Sequence, residues 1–228
     1  MVRLIVDGKE IMADGGNTLL RACLDNGIYI PNLCYLEGME HAPASCRLCL
    51  VEVEGERGPV TACTVTLRQG LVVKTDTPLV RRLQRSALRL LLSAHRVECA
   101  SCPANKKCEL QRIARFLKVG LKPKGLEPFL KEPEVVKEHP LLDYYPNRCV
   151  LCGRCIHICR KENPRPHLSL AHRGMKTVVT FFGDEDSTKL PCIQCSACVS
   201  VCPTGALTLR QNHVQPAENA GQEYPGPD

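Results

Sequence analysis

Fifteen of the sixteen cysteines and one of the seven histidines fall into four groups of four. They are Cys34/Cys46/Cys49/Cys63, His95/Cys99/Cys102/Cys108, Cys149/Cys152/Cys155/Cys159 and Cys192/Cys195/Cys198/Cys202. Only Cys23 is left over. Thiolates and imidazole are ligands for soft metal centres, and an iron–sulfur cluster takes four of them. The chemistry such centres supply is one-electron transfer.

The last two groups carry the strongest signal. Cys149-x2-Cys152-x2-Cys155-x3-Cys159 and Cys192-x2-Cys195-x2-Cys198-x3-Cys202-Pro203 are two copies of the bacterial four-iron run, starting 43 residues apart. In this run three close thiolates hold three corners of one cubane and the fourth crosses to the other. The expected pairing is therefore Cys149, Cys152, Cys155 and Cys202 around one cubane, and Cys192, Cys195, Cys198 and Cys159 around the other. Arg160 stands where proline often follows the fourth cysteine, so the first copy departs from the pattern. Zinc sites place two cysteines and then two more across a long spacer, which a tight triplet plus one does not match.

In His95-x3-Cys99-x2-Cys102-x5-Cys108 three cysteines lack a fourth, and His95 is the nearby residue able to complete the set. Neutral imidazole in place of thiolate makes a cluster less negative and raises its potential. Cys34-x11-Cys46-x2-Cys49-x13-Cys63 differs from the plant-type two-iron spacing, yet the strands and helix around it suit a two-iron ferredoxin; zinc is its competitor. His139, His157, His167 and His172 show no ligand spacing, although His157, between Cys155 and Cys159, is placed to tune a cluster's hydrogen bonding, and His213 is in the polar tail. No dinucleotide fingerprint, phosphate loop or acid/base constellation is present, so no catalytic residue is assigned.

Composition agrees with cluster-built folding. Aromatic residues are 4% of the 228 and Trp is absent, which points to several small domains stabilised by bound metal rather than one large core. The formal charge of +6 invites a nucleic-acid partner. Cluster ligands are thiolates, however, and the four filled sites would contribute about −7 and leave the holo-protein near −1. Much of the Lys and Arg excess then offsets cluster charge. A secreted disulfide scaffold is disfavoured, because Met1-Val2-Arg3-Leu4-Ile5-Val6-Asp7 opens no signal sequence; a cytoplasmic location is expected. No stretch reaches the length of a membrane span.

The elements that must position these ligands can be read in turn. Arg3–Val6 and Glu10–Ala13 form a hairpin about Asp7-Gly8. Asn17 or Thr18 caps a helix through Leu24, stopped at Gly27, with Cys23 as a small buried apolar residue on it. Strands follow at Leu50–Val53, Val60–Val65 and Leu71–Lys74. Pro78 opens a helix running to His95, with Arg81, Arg82, Arg85 and Arg89 as a solvated face. A second helix runs from Glu109 to Leu117. Pro123, Pro128, Pro133 and Pro140, with Pro146 just beyond, mark a connector lying over a neighbouring surface. Lys176–Phe182 is a strand, Thr204-Gly205-Ala206 opens a short return element, and residues 211–228 are a polar tail that is disordered or docks on a partner.

The ligand order resembles one family: the iron–sulfur module at the front of the large iron–sulfur subunit of respiratory complex I, shared by multicluster iron-only hydrogenases. As a free chain it is similar to the small diaphorase subunit of NAD-reducing hydrogenases. The stretches Asn17-Thr-Leu-Leu, Gly27-Ile-Tyr-Ile-Pro31, Leu33-Cys34 and Cys108-Glu109-Leu110-Gln111 carry the resemblance, which covers residues 1 to about 210. It implies an α+β fold: a β-grasp two-iron domain over 1–77, a small helical His/Cys3 domain over 78–120, a connector over 121–140, a bacterial dicluster ferredoxin-like domain over 141–210 and a tail. It implies one 2Fe-2S and three 4Fe-4S clusters, no catalysis by this chain alone, and hetero-oligomeric partners: a flavin- and NAD(P)-binding diaphorase subunit and a hydrogenase or formate dehydrogenase. Some assemblies of this type bifurcate electrons with ferredoxin as a third partner. An independent polyferredoxin and a zinc-binding interaction protein are the competing classes.

Overall fold

A computed structural model describes residues 1–183, 192 and 195–210. The expected tail and His213 lie outside the described residues. The chain opens on β1 (Val2–Val6) and β2 (Lys9–Ala13), paired antiparallel from Val2↔Ala13 to Val6↔Lys9. Asp7 and Gly8 have φ of 51° and 80°, the two positive values a type I′ turn requires. α1 (Leu19–Asp25) starts at Thr18, whose hydroxyl accepts from the Arg21 N–H, and Gly27 leaves it at positive φ. Strands β3 (Leu50–Val53), β4 (Val60–Thr61) and β5 (Leu71–Lys74) complete a five-stranded sheet of order β2-β1-β5-β3-β4, in which β1 and β5 run parallel. Leu4, Val6, Ile11, Val51, Val53, Leu71 and Val73 alternate onto one face and bury Leu19, Leu20, Ala22 and Cys23 of α1. Each fully buried Leu there contributes about 1.5–3 kcal/mol. Cys23 is packing, as expected, and burial pushes its thiol up to about 12.

The strand expected over Val60–Val65 stops after Thr61. A 3-10 turn, Ala62–Thr64, replaces its second half, held by the Thr64 hydroxyl donating to the Thr61 carbonyl at 3.0 Å. The turn leaves the strand path at Cys63, and the Ala62 N–H ties it to the Cys49 carbonyl at 2.8 Å.

Asp7 accepts from both the backbone and hydroxyl of Thr75, fixing the exit from β5. α2 (Pro78–Ser93) then begins with Thr77 as N-cap and proline in its first turn. Its arginines are more than a solvated face. The Arg85 Nε donates to the Leu117 carbonyl at 3.0 Å and the Arg89 Nη2 to the Lys124 carbonyl at 2.9 Å, while Arg81 stacks 4.4 Å from the Phe116 ring centre. Arg85 thereby serves an end carbonyl of α3 (Glu109–Phe116) that the helix itself cannot satisfy. The buried Gln84 amide donates to the Leu50 carbonyl, joining α2 to the sheet.

The Pro-rich connector lies against the domains as expected. The Phe129 N–H reaches the Ser93 carbonyl, and the Asn147 side chain brackets the Lys131 backbone at both its N–H and carbonyl. β6 (Leu142–Tyr144) and β9 (Leu207–Leu209) pair antiparallel, closing the last domain at its two ends. Between them come α4 (Arg154–Glu162), the hairpin β7 (Leu168–Ala171) with β8 (Val178–Phe181), and the short helical turn α5 (Ala197–Ser200). β8 is the strand expected near 176–182, and β7 is the partner that sequence left unspecified.

One apolar cluster crosses all three regions. It joins Leu33, Cys34, Cys46 and Leu48 to Leu88, Leu92, Cys108, Leu110 and Ile113, and these to Val150 and Cys152. No described helix is long and apolar enough to cross a membrane.

Candidate metal centres

Cys34 follows the irregular Ile28–Leu33 stretch, Cys46 and Cys49 lie on the loop before β3, and Cys63 lies on the 3-10 turn after β4. All four are almost fully buried. Arg47 at φ 54° turns the loop so that Cys46 and Cys49 can face the same way. The Cys34 and Cys46 sulfurs are 3.4 Å apart. Hydrogen bonds from Cys46 and Cys63 pull Cys34 down, and one from Cys63 pulls Cys49 down, while Cys46 and Cys63 are pushed up. Four buried sulfurs this close need a shared positive charge to be thiolates together.

The second group lies where α2 ends and α3 begins. His95 is two residues past α2, Cys99 opens the 3-10 turn Cys99–Ser101, Cys102 follows it, and Cys108 is the N-cap of α3. The backbone N–H groups of Leu110 and Gln111 favour thiolate at Cys108 against the upward push of burial, as donors at a helix start do. All four donors line one hollow of about 370 Å³ with Arg148 and Thr204. Burial, with the Arg148 charge, lowers His95 to about 4, so its ring is neutral, and its Nδ1 is buried with no protein partner. A neutral ring with a free buried nitrogen is what a metal ligand needs.

Cys149, Cys152 and Cys155 meet Cys202, not Cys159, around a hollow of about 340 Å³. Leu151 at φ 50° and Gly153 at φ 76° coil the loop, and Cys155 begins the interior of α4. The Leu151 N–H donates to the Cys149 sulfur at 3.4 Å and the Ala206 N–H to the Cys202 sulfur at 3.2 Å. The Tyr144 hydroxyl, which accepts from the Val179 N–H, also favours thiolate at Cys149. Cys159 meets Cys192, Cys195 and Cys198 around a hollow of about 380 Å³. There the His167 N–H donates to the Cys159 sulfur at 3.3 Å, and the Asn163 amide lies 3.9 Å from both the Cys159 and Cys195 sulfurs. Burial pushes Cys152 and Cys198 up to about 12 and Cys192 to about 11, the penalty a cationic cluster core would remove. The His157 Nε2 is buried without a protein partner, and His157 is not among the residues lining these two hollows.

Among the described residues no three His, Cys, Asp or Glu groups converge as they would on a single ion. Three of the four donor sets line hollows, which is the arrangement a polynuclear cluster would use.

Sequence reasoning did not find the residues joining the hollows. Thr204 lines both the His95 hollow and the Cys202 hollow, and its hydroxyl donates to the Arg148 carbonyl at 2.6 Å. The Glu109 N–H donates to the Pro203 carbonyl at 3.0 Å. Proline after the last cysteine was the one local signal for this contact.

Comparison with known proteins finds iron–sulfur regions in the same order. Residues 1–78 match the 2Fe-2S iron-sulfur cluster binding domain, 84–121 the NADH-ubiquinone oxidoreductase-G iron-sulfur binding region, and 148–207 the 4Fe-4S dicluster domain. The chain is 34% identical over 213 residues to a subunit of the NADH-quinone oxidoreductase of Rhizobium meliloti, covering 91% of this chain and 24% of that protein. It is 33% identical over 211 residues to the HndD subunit of the NADP-reducing hydrogenase of Solidesulfovibrio fructosivorans, covering 91% and 36%. It thus spans about a quarter to a third of the curated relatives it matches. A chain of the NAD+-reducing [NiFe]-hydrogenase, solved in its H2-reduced state, superposes with a TM-score of 0.81 at 28% identity, covering 95% of this chain and 90% of that one. Three iron–sulfur domains in succession, with relatives of this kind, identify the chain as an iron–sulfur protein related to subunits of NAD(P)-linked oxidoreductases and hydrogenases.

Proposed function

We propose that this chain relays single electrons between a flavin- and NAD(P)-binding subunit and a second redox subunit such as a NiFe hydrogenase, and that it performs no catalysis alone. Cys34, Cys46, Cys49 and Cys63 would hold a two-iron cluster. His95, Cys99, Cys102 and Cys108 would hold a four-iron cluster. Cys149, Cys152, Cys155 and Cys202 would hold a second, and Cys192, Cys195, Cys198 and Cys159 a third. Bound clusters supply one-electron redox chemistry. The domain limits proposed are 1–77, 78–120 and 141–210, with 121–140 as connector.

The observation that carries this reading is that twelve soft donors line three hollows in sets of four, while the other four cysteines are buried with the Cys34 and Cys46 sulfurs 3.4 Å apart. The chain's own residues do the spacing. Leu33, Leu48, Leu110 and Val150 keep water from the region between the first three groups. Thr204 and Pro203 bring the second group against the third. α4 carries Cys155 into one hollow and Cys159 into the next, so one helix sets their separation. Backbone N–H groups aimed at Cys149, Cys159 and Cys202 stabilise thiolate charge.

The likeness to hydrogenase and oxidoreductase subunits supports the partner classes; a formate dehydrogenase partner and a ferredoxin acceptor are retained beside them. Anaerobic purification should yield about fourteen irons per chain and a paramagnetic signal after dithionite. Abundant zinc with little iron would overturn the assignment. Pull-down of a tagged chain from its native host should recover a flavoprotein; recovery as a stable, fully loaded monomer would favour a free polyferredoxin.

A further inference from the structure

His139 lies 2% exposed in the connector, ten residues before the first cysteine of its domain. Its spacing matches no ligand motif. Its Nδ1 accepts a hydrogen bond from the Leu141 N–H at 3.1 Å, and the ring rests against Phe181 with centres 5.0 Å apart. An imidazole that accepts at Nδ1 carries its proton at Nε2 when neutral. That Nε2 is buried and has no protein partner. The ring lines the same hollow as Cys159, Cys192, Cys195 and Cys198. Two other polar side chains there, Asn163 and His167, have contacts of their own. The Asn163 amide faces the Cys159 and Cys195 sulfurs, and the His167 Nδ1 lies 3.3 Å from the Phe182 carbonyl. A buried N–H without an acceptor is costly, and sulfide or thiolate is the acceptor a filled hollow would offer.

We infer that His139 donates an Nε2–H hydrogen bond to the cluster held by Cys159, Cys192, Cys195 and Cys198, and raises that cluster's reduction potential relative to its neighbours. The inference rests on the ligand assignment proposed above. A donor to sulfur stabilises the reduced, more negative state more than the oxidised one, without becoming a ligand. His139 is therefore a positioning residue for electrons: it biases where in the wire an electron rests.

The test is an anaerobic redox titration of the full chain, followed by electron paramagnetic resonance, for His139→Phe and His139→Gln. Phenylalanine keeps the ring against Phe181 and removes the donor; glutamine restores an N–H. In His139→Phe one cubane should lose about tenfold in its reduced-to-oxidised ratio at a fixed poise, a fall of about 59 mV for a one-electron couple. The other clusters should hold their potentials, and His139→Gln should recover most of the shift. A fully loaded His139→Phe protein with unchanged potentials would overturn the inference, as would an equal shift in the glutamine variant. Should either variant load poorly, wild-type protein carrying 15N only at histidine Nε2 provides a second measurement, a label that leaves out the His167 backbone N–H already bonded to Cys159. Pulsed resonance on that reduced cubane should show a weak nitrogen coupling, and its absence would overturn the inference. A wild-type chain lacking about four irons and this cubane's signal would instead overturn the ligand assignment, and the inference with it.

Discussion

Gly205→Ala tests how the His95 group is pressed against the Cys202 group. Gly205 has φ +65°, and a methyl built on it would lie 2.8 Å from the Ala104 methyl. Ala104 belongs to the loop between Cys102 and Cys108, while Gly205 is three residues past Cys202. Left-handed backbone costs a non-glycine residue about 1–2 kcal/mol. The contact adds about 1–3 kcal/mol, because the neighbour is a short methyl next to its own backbone and cannot swing away. Gly174→Ala isolates the first cost: its φ is +60° and nothing lies within 4 Å of the added carbon. The two variants should therefore differ by about 1–3 kcal/mol, several degrees in melting temperature for a domain of this size. The assay is loss of visible cluster absorbance on anaerobic heating at one scan rate, since unfolding with cluster loss is irreversible. In Gly205→Ala the Glu109 amide, bonded to the Pro203 carbonyl, should also exchange faster with solvent. Equal melting of the two variants, with Glu109 protection unchanged, would refute the close approach of these two loops.

Further outcomes are expected. Cys202→Ser should lose the cubane ringed by Cys149, Cys152 and Cys155, and Cys159→Ser the other; resonance spectra showing the opposite losses would reverse the pairing. His95→Cys should keep a cluster but lower its potential, because thiolate replaces a neutral ring, and an unchanged titration would contradict His95 as a ligand. Tyr144→Phe should lower the potential of the Cys149-centred cubane and cost about 1–3 kcal/mol, since the buried Val179 N–H loses its acceptor. Iron removal by a chelator should unfold the last domain, whose core beyond its cysteines is Tyr144, Ile156, Leu168, Val179, Ala206 and Leu207. The five-stranded sheet, with its larger apolar core, should survive, and amide exchange in β1 and β5 would show it.

Several of these features could be read directly from the chain. The Asp7-Gly8 hairpin, the Thr18 cap, the helix opening at Pro78 and the break at Gly27 are each set within a few residues. Thr61–Thr64 could not be read in this way. A β-rich run was overridden by the need to turn Cys63 toward Cys49, a partner in another loop. The arginines of α2 misled for a related reason. Helical spacing places them outward, but only the packed neighbour shows that the Leu117 carbonyl needs Arg85.

Sequence alone marked the candidate donors as an expectation, most sharply in the two Cys-x2-Cys-x2-Cys runs, where two residues of backbone hold neighbouring sulfurs close whatever the rest of the chain does. It determined the crossed use of Cys159 and Cys202 as an expectation, since the doubled run carries that geometry with it. Tertiary packing alone decided which groups adjoin. Thr204 sits on two hollows, Pro203 accepts from Glu109, and His139 brings an unpartnered N–H to a set of cysteines that begins 20 residues and ends 59 residues further along the chain. Such contacts leave no periodic trace in the sequence, because they arise from the burial of whole elements against one another rather than from the reach of any one segment.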